Sequence, residues 1–180
     1  IPSEECERLC AMLSAKIKKI DDVKVIIKPG EQYRFVVVFR GKKLHGNILD
    51  TDPQVTGAKP LKAVPQDKAS ARMAKIADKF IAAANKILKD EVKANTLLMR
   101  GFSGMPHVPP MSERFALSPA CVASFPLYRG VASVVGMEIL PTGMNIEDEF
   151  QTLKENWDKH DFFFIHIKKT DSYGEDGNSE

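Results

Sequence analysis

Cysteine is scarce in this chain: Cys6, Cys10 and Cys121 are the only three among 180 residues. An odd, sparse count excludes a disulfide framework and points to a reducing compartment, so a cytoplasmic location is expected. Long apolar runs are missing too. The longest, such as residues 162–165, fall far short of the roughly 20 residues that span a bilayer. Charge of one sign is not in excess: 26 basic against 24 acidic side chains leave +2. So small a balance argues against a nucleic-acid or membrane footprint. P-loop, G-x-G-x-x-G, G-x-S-x-G and C-x-x-C patterns are all absent. The opening Ile1-Pro-Ser-Glu-Glu is acidic and lacks the pattern of a secretion leader, and the missing initiator Met suggests a processed product or a fragment.

What is present is ordinary for a globular protein. Hydrophobic residues make up 43% and charged residues 28%, and 180 residues can bury a sizeable core in one or two domains. Ser3 is placed to cap a helix reaching about residue 20, with Cys6, Leu9, Cys10, Leu13 and Ile17 at helical spacing. The Cys6–Cys10 spacing resembles half of a metal site, but Leu9 and Leu13 share the helix's apolar side, so buried thiols are expected. Two β-branched runs follow, at 23–27 and 33–39, separated by Pro29-Gly30. With a third strand at 43–48 they read as an antiparallel meander. A polar, proline-punctuated loop leads to a long helix over about 68–93, apolar on one side at Met73, Ile76, Ala77, Phe80, Ile81, Ala84, Ile87 and Leu88.

Beyond residue 95 the rhythm changes. Short strands are predicted at 96–99, 120–125, 138–140 and 162–168, with helices at 127–137 and 146–160 between them. That alternation is the βαβ rhythm of a parallel sheet. The expected fold class is therefore α/β: a partial parallel sheet joined to an α+β part with an antiparallel sheet. Strands 96–100, 120–125 and 162–168 are expected together in the parallel sheet, and the domain boundary at 94/95.

Candidate site residues follow from position. Asp171, Glu175 and Asp176 lie in an acidic, glycine-punctuated stretch read as a loop after the last strand. Ligands bind at the carboxyl ends of strands in open α/β sheets, and oxygen ligands suit hard cations. The alternative is a solvated acidic tail. Arg100, after Thr96-Leu-Leu-Met, and Arg129, at the start of the helix after 120–125, suit phosphate or carboxylate because the guanidinium fork bonds bidentately. Their alternative is a surface charge. Asp50-Thr51-Asp52-Pro53 is read first as an Asx-stabilised turn. His107 is a lone loop histidine, and His166 reads as a packed strand residue rather than a base.

Several separated stretches carry a resemblance to a known family. They are Ala94-Asn-Thr-Leu-Leu-Met-Arg100-Gly, Ala120-Cys-Val-Ala-Ser-Phe-Pro-Leu-Tyr-Arg129-Gly and His166-Ile-Lys-Lys-Thr-Asp171-Ser-Tyr-Gly-Glu175-Asp-Gly, with Tyr33-Arg-Phe-Val-Val-Val-Phe-Arg40-Gly and Asp50-Thr-Asp52-Pro53 upstream. Together they resemble the archaeal-type, 2,3-bisphosphoglycerate-independent phosphoglycerate mutases of the alkaline-phosphatase superfamily. The resemblance implies an internal fragment, with residues 1–94 most of an inserted α+β domain and 95–180 part of the phosphatase-like, metal-binding domain.

It also implies a reaction. The family interconverts 3-phosphoglycerate and 2-phosphoglycerate, a step of glycolysis and gluconeogenesis, through a phosphoserine. It uses two divalent ions, manganese or magnesium, and no 2,3-bisphosphoglycerate. Arg100 and Arg129 would grip the phosphoglycerate substrate, and Asp171 would bind one metal. The family's metal loop reads Asp-x-x-Gly-His, whereas Gly174 is followed here by Glu175, which exchanges an imidazole for a carboxylate. The serine nucleophile has no counterpart here, so no catalytic residue is assigned. The resemblance does not reach nucleic-acid or membrane partners, and it leaves oligomeric state open. Two alternatives stay beside it: a pseudoenzyme or regulatory binding module retaining the fold, and another metal-dependent phosphohydrolase or phosphomutase of the superfamily.

Overall fold

The computed structural model describes residues 1–177, with the side chains of all of these except Asp171, Ser172, Glu175 and Asp176. The chain divides into two compact units, Ile1–Met105 and Pro106–Glu180.

In the first unit, helix α1 (Ser3–Lys16) buries Cys6, Leu9, Cys10 and Leu13 along one side. Ser3 does not cap it. Its Oγ instead accepts from the backbone N–H of Gln32 at 2.9 Å, which ties the helix start to the β-turn region. Strands β1 (Lys19–Ile20), β2 (Val23–Pro29) and β3 (Phe35–Arg40) form an antiparallel sheet in sequence order. In β2 the period-two alternation sends Val23, Val25 and Ile27 inward and Lys24 and Lys28 outward. Helix α2 (Ala71–Leu88) covers the inward face with Met73, Ile76, Ala77, Phe80, Ala84 and Leu88. Phe80 meets Phe39 of β3 edge-on at 5.4 Å.

The third strand of this sheet is not the expected 43–48 but Lys19–Ile20. Lys43 takes a left-handed φ of 53°, and the chain beyond it pairs with residues 64–66 instead of β3. Leu49 N–H donates to Val64 O, Gln66 N–H donates to Asn47 O, and Ile48 bridges Pro65.

The second unit holds a parallel sheet of order β5-β4-β6, built from β4 (Pro119–Ala123), β5 (Glu138–Ile139) and β6 (Phe162–His166). The middle strand β4 is buried at every position, as expected of a parallel strand covered on both faces. Helices α3 (Met111–Phe115), α4 (Pro126–Val134), α5 (Ile146–Asn156) and α6 (Lys168–Asp176) complete it. Pro126 opens α4 at a position where a missing N–H costs nothing. Asn145 caps α5, its Oδ1 accepting from Asp148 N–H at 2.7 Å. No helix among the described residues is long and apolar enough to cross a membrane.

The mixed α/β class and the two separate sheets agree with the sequence reading. The membership of the parallel sheet does not. Residues 96–100 are not a strand and belong to the first unit, while Glu138–Ile139 takes a place beside β4. The reason is a polar anchor: Met99 is held on both sides by Thr51.

Candidate functional site

In the first unit, the Asp50-Thr51-Asp52 turn and the Met99-Arg100-Gly101 segment are bonded together. Thr51 N–H donates to Met99 O at 2.8 Å, Met99 N–H donates to Thr51 Oγ1 at 2.8 Å, and Gly101 N–H donates to Asp50 Oδ1 at 2.9 Å. Asp52 makes the Asx bond the sequence suggested, its Oδ1 accepting from Gln54 N–H at 2.8 Å. Its other oxygen lies 3.6 Å from Arg100 Nη1. Arg100 is thus held at its base by backbone bonds on either side, while its side chain stays 62% exposed. One ion contact at that distance leaves most of the guanidinium's five donors for a ligand.

Thr51 is 1% exposed, and its buried hydroxyl accepts the Met99 N–H. Thr51→Val should lower stability by roughly 1–3 kcal/mol, the cost of leaving a buried donor unmade. Thr51→Ser, which keeps the hydroxyl, should lose much less. Urea unfolding midpoints of both variants measure this, and equal midpoints would show that the bond does not hold the segment.

In the second unit, polar and aromatic groups gather at the carboxyl ends of β4 and β6. Ser124 N–H, just past β4, donates to Glu149 Oε1 at 3.1 Å. Glu149, on α5, is 2% exposed. The ring of His166, the last residue of β6, stacks on Tyr128 of α4 at 3.4 Å and 21°. Its Nδ1 is buried and has no hydrogen-bond partner among the described residues. Lys168 Nζ lies 5.3 Å over the ring of Phe125. Arg129, on α4, is exposed. Burial pushes the Cys121 thiol up from its ordinary value, and the positive charge of Arg129 partly opposes the shift. Cys121 is thus a thiol packed in the core of this unit, 0% exposed.

The acidic stretch after β6 differs from the expected loop: it is helical, as α6. Gly177, at φ 67°, closes the helix in the left-handed conformation and returns its N–H to Gly174 and Tyr173 carbonyls. Thr170 Oγ donates to Ile167 O at 2.8 Å in the first turn. Positions 171 and 175 are consequently one helical turn apart, and their side chains lie outside the described residues. Among the described residues no three His, Cys, Asp or Glu side chains converge as a metal would require. The described donors alone do not fit a divalent ion, so no step of chemistry is derived through one.

Arg100 and Arg129 belong to different units, and each is placed only within its own. Sequence reasoning missed Thr51 and Glu149. A threonine in a turn carries no mark of burial, and a glutamate in the first turn of a helix reads as a dipole partner, since acidic residues are seldom buried.

Comparison with known proteins gives this arrangement a class. Residues 67–180 match the metalloenzyme superfamily. Residues 1–93 match the family described as 2,3-bisphosphoglycerate-independent phosphoglycerate mutase, and the chain belongs to that family. A probable 2,3-bisphosphoglycerate-independent phosphoglycerate mutase of Aquifex aeolicus (strain VF5) is 49% identical over 185 residues, which cover 100% of this chain and 46% of the relative. A relative of the same description from Thermus thermophilus is 46% identical, over 98% of this chain and 44% of its own length. The chain therefore spans less than half the length of these relatives. Among solved structures, a cofactor-independent phosphoglycerate mutase from Thermoplasma acidophilum shares the fold. Its TM-score is 0.67 at 24% identity, over 88% of this chain and 46% of that one.

Proposed function

We propose that the chain is an internal portion of a cofactor-independent phosphoglycerate mutase, an isomerase of glycolysis and gluconeogenesis. The whole protein would interconvert 2-phosphoglycerate and 3-phosphoglycerate through a phosphoserine with two divalent metals. The observation that carries the reading is the end-to-end likeness to the Aquifex relative, 49% identical across the whole of this chain. In this reading residues 1–94 are most of the inserted domain and 95–180 part of the metal-binding domain. Arg100 and Arg129 hold the phosphate or carboxylate of the substrate. Asp171 and Glu175 contribute oxygen ligands toward manganese or magnesium, and two carboxylates without an imidazole favour the harder cation. The remaining ligands and the nucleophile would come from other parts of the protein, which acts in the cytoplasm on a small phosphorylated acid.

The test is a coupled assay without added 2,3-bisphosphoglycerate. The full-length protein supplied with manganese should interconvert the two phosphoglycerates. Residues 1–180 alone should show no turnover above a blank. Absence of turnover in the full-length protein would favour a binding module that keeps the fold, whereas turnover by residues 1–180 alone would overturn the internal-portion reading.

A further inference from the structure

The proposed mutase chemistry makes no use of Cys6 and Cys10. These residues are one turn apart on α1, and their sulfurs stand 4.0 Å from each other. Cys6 Sγ also donates to the Arg34 carbonyl at 3.2 Å. Both residues line a cavity of about 310 Å³ whose other walls include Leu9, Leu13, Phe35 and Leu88, with Asp52 also on its lining. Two sulfurs at this separation are too far apart for a disulfide, whose bond is only about 2.05 Å. They suit a single bridging atom: two bonds of about 2.3 Å, the zinc–thiolate length, reach across as much as about 4.6 Å.

The chemistry of the site decides which bridging atom. A zinc or copper ion would leave two thiolate charges in an apolar setting and would call for further donors. Among the described residues no third His, Cys, Asp or Glu joins the pair. Burial, and then the neighbouring Cys6, push the Cys10 thiol up to about 12, so charge at this place is disfavoured. A ligand that forms a neutral adduct avoids that cost. The cavity also has room for an organic substituent, since an apolar cavity of about 150 Å³ already accepts a benzene ring.

We propose that Cys6 and Cys10 form a dithiol site for a neutral, trivalent organoarsenical, with the organic group seated in the apolar cavity. The reagent R–As(OH)2 loses both hydroxyls. Two As–O bonds break and two As–S bonds form, each thiol proton leaves in a water molecule, and arsenic stays trivalent throughout. The ring so closed explains selectivity within the chain: Cys121 is alone in the second unit's core and can give only an open, exchangeable monothiol adduct.

Phenylarsine oxide is the probe, added to the reduced full-length protein under native conditions and followed by intact-mass and peptide mass spectrometry. One phenylarsenic group should map to the peptides carrying Cys6 and Cys10. It should survive excess monothiol and be removed by ethanedithiol. Cys6→Ala and Cys10→Ala should each reduce retention at least tenfold, and Cys121→Ala should leave it unchanged, with circular dichroism confirming that every variant is folded. Three results would overturn the proposal: no adduct on this pair, retention unchanged in either folded single variant, or labelling that requires denaturant. Protection of the pair by zinc ions would likewise overturn the preference for a neutral ligand.

Discussion

Phe80→Ala should be the most damaging single substitution in the first unit, lowering stability by about 3–5 kcal/mol. Phe80 is 0% exposed and sits where α2 meets both α1 and the sheet. Its cluster includes Leu9, Leu13, Val25, Ile27 and Leu88. Truncation removes the transfer energy of a whole ring and leaves a cavity walled by three elements that cannot all move inward. The edge-on contact with Phe39 adds roughly 0.5–1.5 kcal/mol beyond area alone. Domains have only about 5–15 kcal/mol in total, so the variant should sit near its unfolding threshold at ambient temperature. The comparison is Val36→Ala, on the outward face of β3 and largely exposed, which should change stability by no more than about 0.5 kcal/mol. Urea unfolding followed by circular dichroism, with hydrogen exchange across α2, distinguishes the two. Similar midpoints for both variants would mean that α2 is not the keystone of this unit.

The residues that make Phe80 important were legible beforehand, because α2 announces its buried face in a 3.6-residue period. Met73, Ile76, Ala77, Phe80, Ile81, Ala84, Ile87 and Leu88 are the residues its period turns inward; all are buried except Ile81 and Ile87, which pack against the core only partly covered. The alternation of β2 and β3 was equally plain. What failed were short segments whose pairing depends on distant partners. Residues 43–48, read as a strand because they follow the Arg40-Gly41 turn, and the apolar run 96–99 do not join the sheets expected of them. Each spends its backbone hydrogen bonds on a loop, the first on 64–66 and the second on Thr51. Nothing local to a run of four to six residues distinguishes those partners. Glu138–Ile139, by contrast, lies beside β4 in the parallel sheet, as the strand–helix alternation from 120 to 168 implies.

The candidate site was legible to a different degree. Arg100 and Asp52 were each singled out from position or turn chemistry, but their meeting across 48 residues was not. It follows from the Thr51–Met99 bonds, which no spacing rule contains. The acidic stretch 171–176 was misread as a loop because Gly174 looked like a break. The residue that ends the helix is Gly177, and Gly174 is carried inside α6 at the modest cost glycine has in a helix.

Arg100→Ala in the full-length protein should lower kcat/KM for phosphoglycerate by about 1.5–3 kcal/mol, the scale for a hydrogen bond to a charged group. That is roughly a 10- to 150-fold loss at about 1.36 kcal/mol per tenfold. Stability should hardly change, because the side chain is 62% exposed and its ion pair with Asp52 is 3.6 Å long. Arg100→Lys keeps the charge but loses the planar fork, so it should recover only part of the activity if two donors grip one phosphate or carboxylate. Full recovery would mean that the position supplies charge alone. Arg129→Ala should behave alike, since Arg129 is also exposed and its loss opens no cavity. Asp52→Asn supplies the control on geometry. It removes the anion beside Arg100 while keeping an acceptor for the Gln54 N–H, so a modest change is expected there beside a large one for Arg100→Ala. Wild-type kcat/KM in Arg100→Ala would remove this residue from the substrate site, and the bonds around Thr51 would then serve folding alone.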